Sequence, residues 1–133
     1  VTGKVTPENL IKYQILLDAM KDGVFSHVEI ELENESIDMA YDDLVESDEH
    51  WDFEYEFRES GEETEVDAPW SRHYEAKSVA RKVAGTWVGW TYWYGGGKHG
   101  NADEIEWMSE AYFLNCTEQE VTVIKRTFEK VSK

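Results

Sequence analysis

The residues able to do chemistry are an abundance of carboxylates and one glycine loop carrying a lysine and a histidine. That loop, Gly95-Gly96-Gly97-Lys98-His99-Gly100, follows an aromatic run and precedes Asn101 and Asp103. Phosphate-binding loops join a strand to a helix in the same way, with backbone amides and a helix N-terminus facing the anion. Here no Ser or Thr follows Lys98, and the glycine spacing is not that of a Walker loop. Asp103, Glu104 and Glu106 add negative charge where a phosphate would sit. The loop therefore reads either as a plain connection or as a flexible segment presenting Lys98 and His99 to a partner or a small anion.

Other chemistry finds less support. His27, His50, His73 and His99 have no metal-ligand spacing, and the acids do not alternate as in a calcium loop. Ser71, Ser78 and Ser109 lack a nucleophile-elbow context. Cys116 has Glu118 and Glu120 close by, and negative neighbours disfavour a thiolate. No catalytic residue, metal site or cofactor is expected. Binding is the expected role.

The carboxylates are unevenly placed. The chain has 133 residues, with 29 acidic and 13 basic side chains and a net charge of −16. Residues 29–67 hold 18 of the acids and a single basic residue, Arg58, so this stretch carries −17. A balance of this sign argues against direct binding to nucleic acid, which needs Lys and Arg. It argues equally against an anionic membrane. The partner it fits is a basic one, above all a nucleic-acid-binding protein. The lone cysteine, the lack of a membrane-length apolar run and an N-terminus without a signal-like apolar core make the cytoplasm the expected location.

The acids interleave with apolar residues, which predicts folded elements in place of a disordered tail. Val28, Ile30 and Leu32 alternate with Glu29, Glu31 and Glu33, as in a half-buried strand at about 24–33. Trp51, Phe53, Tyr55 and Phe57 alternate with Asp52, Glu54, Glu56 and Arg58, predicting a second strand over 51–58. Between them, Ile37, Ala40, Tyr41, Leu44 and Val45 fall at helical spacing and predict a helix over 36–46. The expected result is one carboxylate face formed by Glu29, Glu31, Glu33, Asp42, Asp43, Asp52, Glu54 and Glu56. Alternate strand residues lie ~6.6–6.8 Å apart, on the scale of backbone phosphates, so such a face would imitate nucleic acid. The competing reading is a solvated face, or one neutralised by Arg72, Lys77, Arg81 and Lys82 on a neighbouring strand.

Elsewhere, Thr6 and Pro7 start a helix with Leu10, Tyr13, Leu17 and Met20 buried, ending at Gly23. Residues 60–63 read as a turn or loop that runs on to Pro69. Residues 71–83 suit a helix by propensity but are read as a strand, because Ala84-Gly85-Thr86 turns into the strongly β-prone TWVGWTYWY. In that run Trp87 and Trp93 face one way, and Trp90, Tyr92 and Tyr94 the other. A central strand buried on both faces explains the pattern. An exposed platform is the alternative: Trp90, Tyr92 and Tyr94 would stack a nucleotide-like ligand, and Lys98 and His99 would meet its anionic part. A helix from about 103 to 114, with Ile105, Met108, Ala111 and Tyr112 inward, and a last strand over 121–128 complete the chain. The expectation is one α+β domain over residues 1–133, a largely antiparallel sheet of about five strands with two or three helices.

The stretch 68–108, with APWSRHYE and GWTYWYGGGKHG, resembles small accessory proteins of tailed bacteriophages. The resemblance spans about a third of the chain and implies a phage origin and a host-cell cytoplasmic site of action, without a known activity. Three readings follow. The first is an acidic inhibitor or modulator of a basic, nucleic-acid-binding host protein, acting by mimicry in anti-defence or host takeover. The second is the small-ligand binder. The third is a virion assembly protein, working as a homo-oligomer through its aromatic surface.

Overall fold

Thr6 and Pro7 begin the first helix as the sequence requires: the Thr6 hydroxyl accepts from the Asn9 amide at 3.2 Å. Helix α1 spans Pro7–Lys21, and Gly23 follows its cap with φ of +75°. A computed structural model describes residues 5–26 and 29–132. It continues with α2 (Asn34–Glu46), α3 (Trp51–Arg58), β1 (Glu62–Glu63), β2 (Glu75–Val83), β3 (Thr86–Tyr94) and β4 (Tyr112–Leu114). Short 3-10 turns lie at Gly97–His99 and Ala102–Glu104. The sheet is antiparallel in the order β1-β2-β3-β4, so the fold is α+β with four strands where about five were expected.

The β2–β3 hairpin is the frame. It pairs without a break from Val83 opposite Thr86 to Glu75 opposite Tyr94. Its two-residue turn holds Ala84 at φ of +48° and Gly85 at +81°, the doubly left-handed geometry whose twist matches paired strands. This register places Val79, Val83, Val88 and Trp90 on the face toward the helices, where all four are buried. One core cluster joins them to Leu10, Ile11, Ile15 and Leu16 of α1, Ile37 and Leu44 of α2, and Phe53 and Phe57 of α3. Asn34 ties two helices together, its side-chain oxygen accepting from the Thr6 amide at 3.1 Å and the Asn9 amide group at 2.9 Å.

Several expectations are corrected. Residues 51–58 form a helix, not a strand. Phe53 and Phe57 are four apart and are buried together, while Trp51 and Tyr55 stay exposed. Residues 24–26 and 29–33 form no strand. Their backbone groups serve the helix ends: Val24 and Phe25 donate to the Ala19 carbonyl, and the Glu31 amide donates to the Ser36 hydroxyl. His27 and Val28 lie outside the described residues. In α1 the buried side is Leu10, Ile11, Ile15, Leu16 and Ala19. Leu17 is exposed, and Tyr13 and Met20 are half-buried, because apolar residues lie on more than one side of this helix. Strand β2 begins at Glu75, and β1 falls where a turn was expected.

The helix expected at 103–114 is replaced by the second 3-10 turn, a loop and β4. Pairing with β3 wins there, and Trp107 joins Met108 in the core. Residues 121–128 form no strand, and every described residue from 115 onward is exposed.

Gly89 fixes how closely β4 approaches. A Cβ there would meet the Tyr112 ring at 2.6 Å and Leu114 at 2.9 Å. Gly89→Ala is expected to cost about 1–3 kcal/mol in urea unfolding, the range for overpacking. The amides of Tyr112–Leu114 should also exchange faster. An unchanged midpoint and unchanged exchange would contradict this close fit.

Candidate functional site

The conversion of 51–58 from strand to helix reshapes the acidic face. With no strand there or at 29–33, the carboxylate ladder that would match phosphate spacing does not form. The acids remain outward. Glu29, Glu31, Glu33, Asp42, Asp43, Asp52 and Glu56 are exposed, and Glu54 is half-buried. Glu54 turns inward to accept a short hydrogen bond from the buried Tyr41 hydroxyl, joining α3 to α2. Burial first, then the Glu54 charge and its hydrogen bond, push the Tyr41 hydroxyl far above the ordinary tyrosine range.

The structure also shows a groove that was not among the expectations from the sequence. It lies between α3 and the 101–108 segment, holds about 520 Å³, and is lined by Trp51, Glu54, Tyr55, Arg58, Asn101, Asp103, Glu104, Ile105, Glu106, Trp107 and Met108. Four of these residues are carboxylates and three are aromatic. Trp51 is 64% exposed and Tyr55 51%. Trp51 is nevertheless held: its indole NH donates to Asp48 at 3.0 Å, and its ring lies 4.3 Å from the buried His50 ring. A guanidinium or ammonium group entering the groove would meet carboxylates and aromatic faces together.

Arg58 forms part of the wall and is already engaged. It is 5% exposed, pairs with Glu59 at 2.9 Å, donates to the Trp93 carbonyl, and stacks over the Tyr92 ring at 4.2 Å. The Tyr92 hydroxyl donates to the same Glu59 at 2.7 Å and 2.9 Å, and that bond is the first cause of its raised pKa. This trio fastens the end of α3 to β3, so the helix bearing Asp52, Glu54 and Glu56 is rigidly placed.

The competing reading, internal neutralisation by the basic residues of 72–82, is not seen among the described residues. Arg81 donates to the Ser60 hydroxyl at 2.9 Å and lies over Phe57, and Lys77 lies over Tyr92 and Tyr94. Among the described residues, none of Arg72, Lys77, Arg81 and Lys82 pairs with Glu54 or Glu56.

The aromatic platform is corrected in part. Trp90 is fully buried and offers no surface for stacking. Its ring packs against Phe57 at 4.9 Å and Trp107 at 5.8 Å. Tyr92 and Tyr94 do line a second groove, of about 410 Å³, beside Gly95, Gly97 and Gly100. Lys98 and His99 are not among its lining residues. His99 instead stacks on His73 at 3.8 Å. The groove's carboxylates are Glu59 and Asp103, and its one cation, Arg58, is bonded to Glu59.

Of the groove residues that sequence reasoning missed, Trp51 and Tyr55 had a signal in WDFEYEFR. Read at helical spacing, that stretch turns two aromatics outward among the acids. Asp103, Glu104 and Glu106 were visible only as a charge opposing phosphate.

Fold and site thus define an α+β domain with an acidic, aromatic-walled groove on its helical side. Compared with protein-family models, curated proteins and solved structures, the chain matches none.

The Tyr41–Glu54 bond has a pH signature. Unfolded, Tyr41 ionises near 10.0, and folded it ionises higher. Its contribution to stability is complete below that value and is lost as the pH rises above it. Above about pH 10 the native chain should lose stability more steeply than Tyr41→Phe, by up to about 1.4 kcal/mol per pH unit. Urea unfolding of both chains across that range is the check, and equal slopes would contradict the buried bond.

Proposed function

We propose that this chain is a binding protein, not an enzyme, and that its helical acidic face occupies a basic surface of a nucleic-acid-binding protein. The observation that carries this reading is the combination of −17 over residues 29–67 with the groove that four carboxylates and two exposed aromatics form beside it. Electrostatics would steer the encounter and make it salt-sensitive. The anchor would be a basic side chain of the partner, its charge set against Glu54, Asp103, Glu104 or Glu106 and its flat or aliphatic part against Trp51 and Tyr55. This replaces phosphate-spaced mimicry with capture of individual cations. The resemblance to phage accessory proteins fits a role against a host protein in the host cytoplasm, by competitive occupancy. No described helix is long and apolar enough to cross a membrane.

The small-ligand reading has the Tyr92–Tyr94 groove in its favour. Against an anionic ligand stand its two carboxylates and the prior engagement of Arg58.

The test reverses charges that hold nothing in place. Asp52, Glu56, Asp103 and Glu104 are exposed, whereas Glu54 is bonded to Tyr41 and is left intact. The fourfold change of these residues to Lys should leave the circular dichroism spectrum unaltered. Binding of an arginine-rich peptide, followed by tryptophan fluorescence, should weaken at least about tenfold. Capture of basic proteins from bacterial lysate should weaken in parallel and fall with added salt. Equal binding by the folded variant would sink the proposal.

A further inference from the structure

The last stretch of the described chain is built to be covered, yet nothing in its own fold covers it. Val121, Val123, Ile124, Phe128 and Val131 are 69–85% exposed. Residues 115–132 belong to no helix or strand. A run of large exposed apolar side chains in a soluble chain marks an interaction segment. Its charge is also distinct. Residues 121–133 carry four basic residues and one acidic, a net +3, against −19 for residues 1–120.

A receiving surface lies on the sheet face turned away from the helices. The register puts Ala80, Trp87 and Leu114 on that face, opposite in sense to Val79, Val88 and Trp90. These three residues floor a groove of about 450 Å³, which Glu62 and Glu65 flank. Its far wall is the chain's own 115–117, the root of the exposed segment. Exposed Lys82, opposite Trp87 in the register, lies on this face and is outnumbered by the two glutamates.

We propose that residues 121–132, joined to the groove wall by the short acidic link 118–120, are an exchange arm and that the groove receives the arm of a second copy of this chain. Apolar side chains would cover Trp87 and Leu114, while Lys125, Arg126 and Lys130 would meet Glu62 and Glu65. The charge match selects this occupant: the segment is the basic, apolar part of a chain whose groove is acidic-rimmed and apolar-floored. Because each arm starts at the wall of its own groove, a two-fold axis beside that wall brings each arm to the neighbouring groove with little reach. Such an exchange is reciprocal and closes as a dimer. It lies on the face opposite the acidic helical groove and leaves that groove open, so either proposal can fail alone.

The experiment is sedimentation velocity on the full chain over a range of concentrations. The native chain should sediment as a dimer. Ile124→Asp with Phe128→Asp should weaken association at least about tenfold without altering the urea midpoint, since both side chains are exposed. A groove variant (Glu62→Lys, Glu65→Lys) and an arm variant (Lys125→Glu, Arg126→Glu, Lys130→Glu) should each be monomeric. Mixed together they should form heterodimers, because each arm again meets a groove of opposite charge. A monomeric native chain overturns the proposal, as would docking of the arm in its own groove, which also gives a monomer. A dimer that survives the arm substitutions, or a mixture that stays monomeric, overturns it too.

Discussion

Trp90 sits in the middle of the central hairpin with its side chain wholly out of water, and three parts of the chain are arranged around it. Phe57 of α3 and Trp107 of the loop before β4 pack against its ring, and Gly61 passes so near that a Cβ there would lie 2.9 Å from the indole. A side chain of this size fixes the separation of the layers it fills, because protein interiors tolerate few voids. The orientation of α3 follows from it. Phe57 must reach inward, and the helical repeat then turns Trp51, Asp52, Tyr55 and Glu56 outward. The acidic groove is therefore a by-product of aromatic packing beneath it.

The same constraint explains how a −17 segment folds. Like charges repel, and a helix crowded with them gains little from its own hydrogen bonds in isolation. Helices α2 and α3 instead rest on buried Ile37, Ala40, Leu44, Phe53 and Phe57. Two polar ties complete the attachment. Tyr41 bonds Glu54 between the helices, and Arg58 bonds Glu59 and the Trp93 carbonyl at the sheet. The one basic residue of the segment is thus engaged with Glu59 and the sheet, leaving the other outer carboxylates of α2 and α3 without a counterweight from Arg58.

How far this was legible depended on whether local signals agreed. Thr6, Pro7 and Gly23 bounded α1, and the β-prone run from Thr86 to Tyr94 with its Ala84-Gly85 turn outweighed the helical propensity of 71–83 to mark the hairpin. In α3 the signals conflicted. Phe53 and Phe57 satisfy a period of two and a helical turn equally, and only contact with Trp90 and Trp107 decides between them. The 103–114 stretch has helical apolar spacing, but Gly89 opens a place for Tyr112 beside β3, and edge pairing prevails. Alternation at 121–128 signalled a strand, but the segment pairs with none of the described strands. The acidic residues of the site could be read from the sequence. Its walls could not, because they are assembled from α3 and a loop some fifty residues away.

The two-residue hairpin turn has a consequence for the order of assembly. Closing a loop costs entropy that grows with its length, and the turn at Ala84 and Gly85 closes the shortest loop between any two paired strands here. Hairpins form in about 1–10 μs, ahead of contacts that must bring distant segments together. Strands β2 and β3 can therefore present Val79, Val88 and Trp90 as a ready-made apolar template before α1 arrives from seventy residues upstream. The acidic helices then settle on a surface that already exists, so their mutual repulsion never has to be overcome by their own contacts alone.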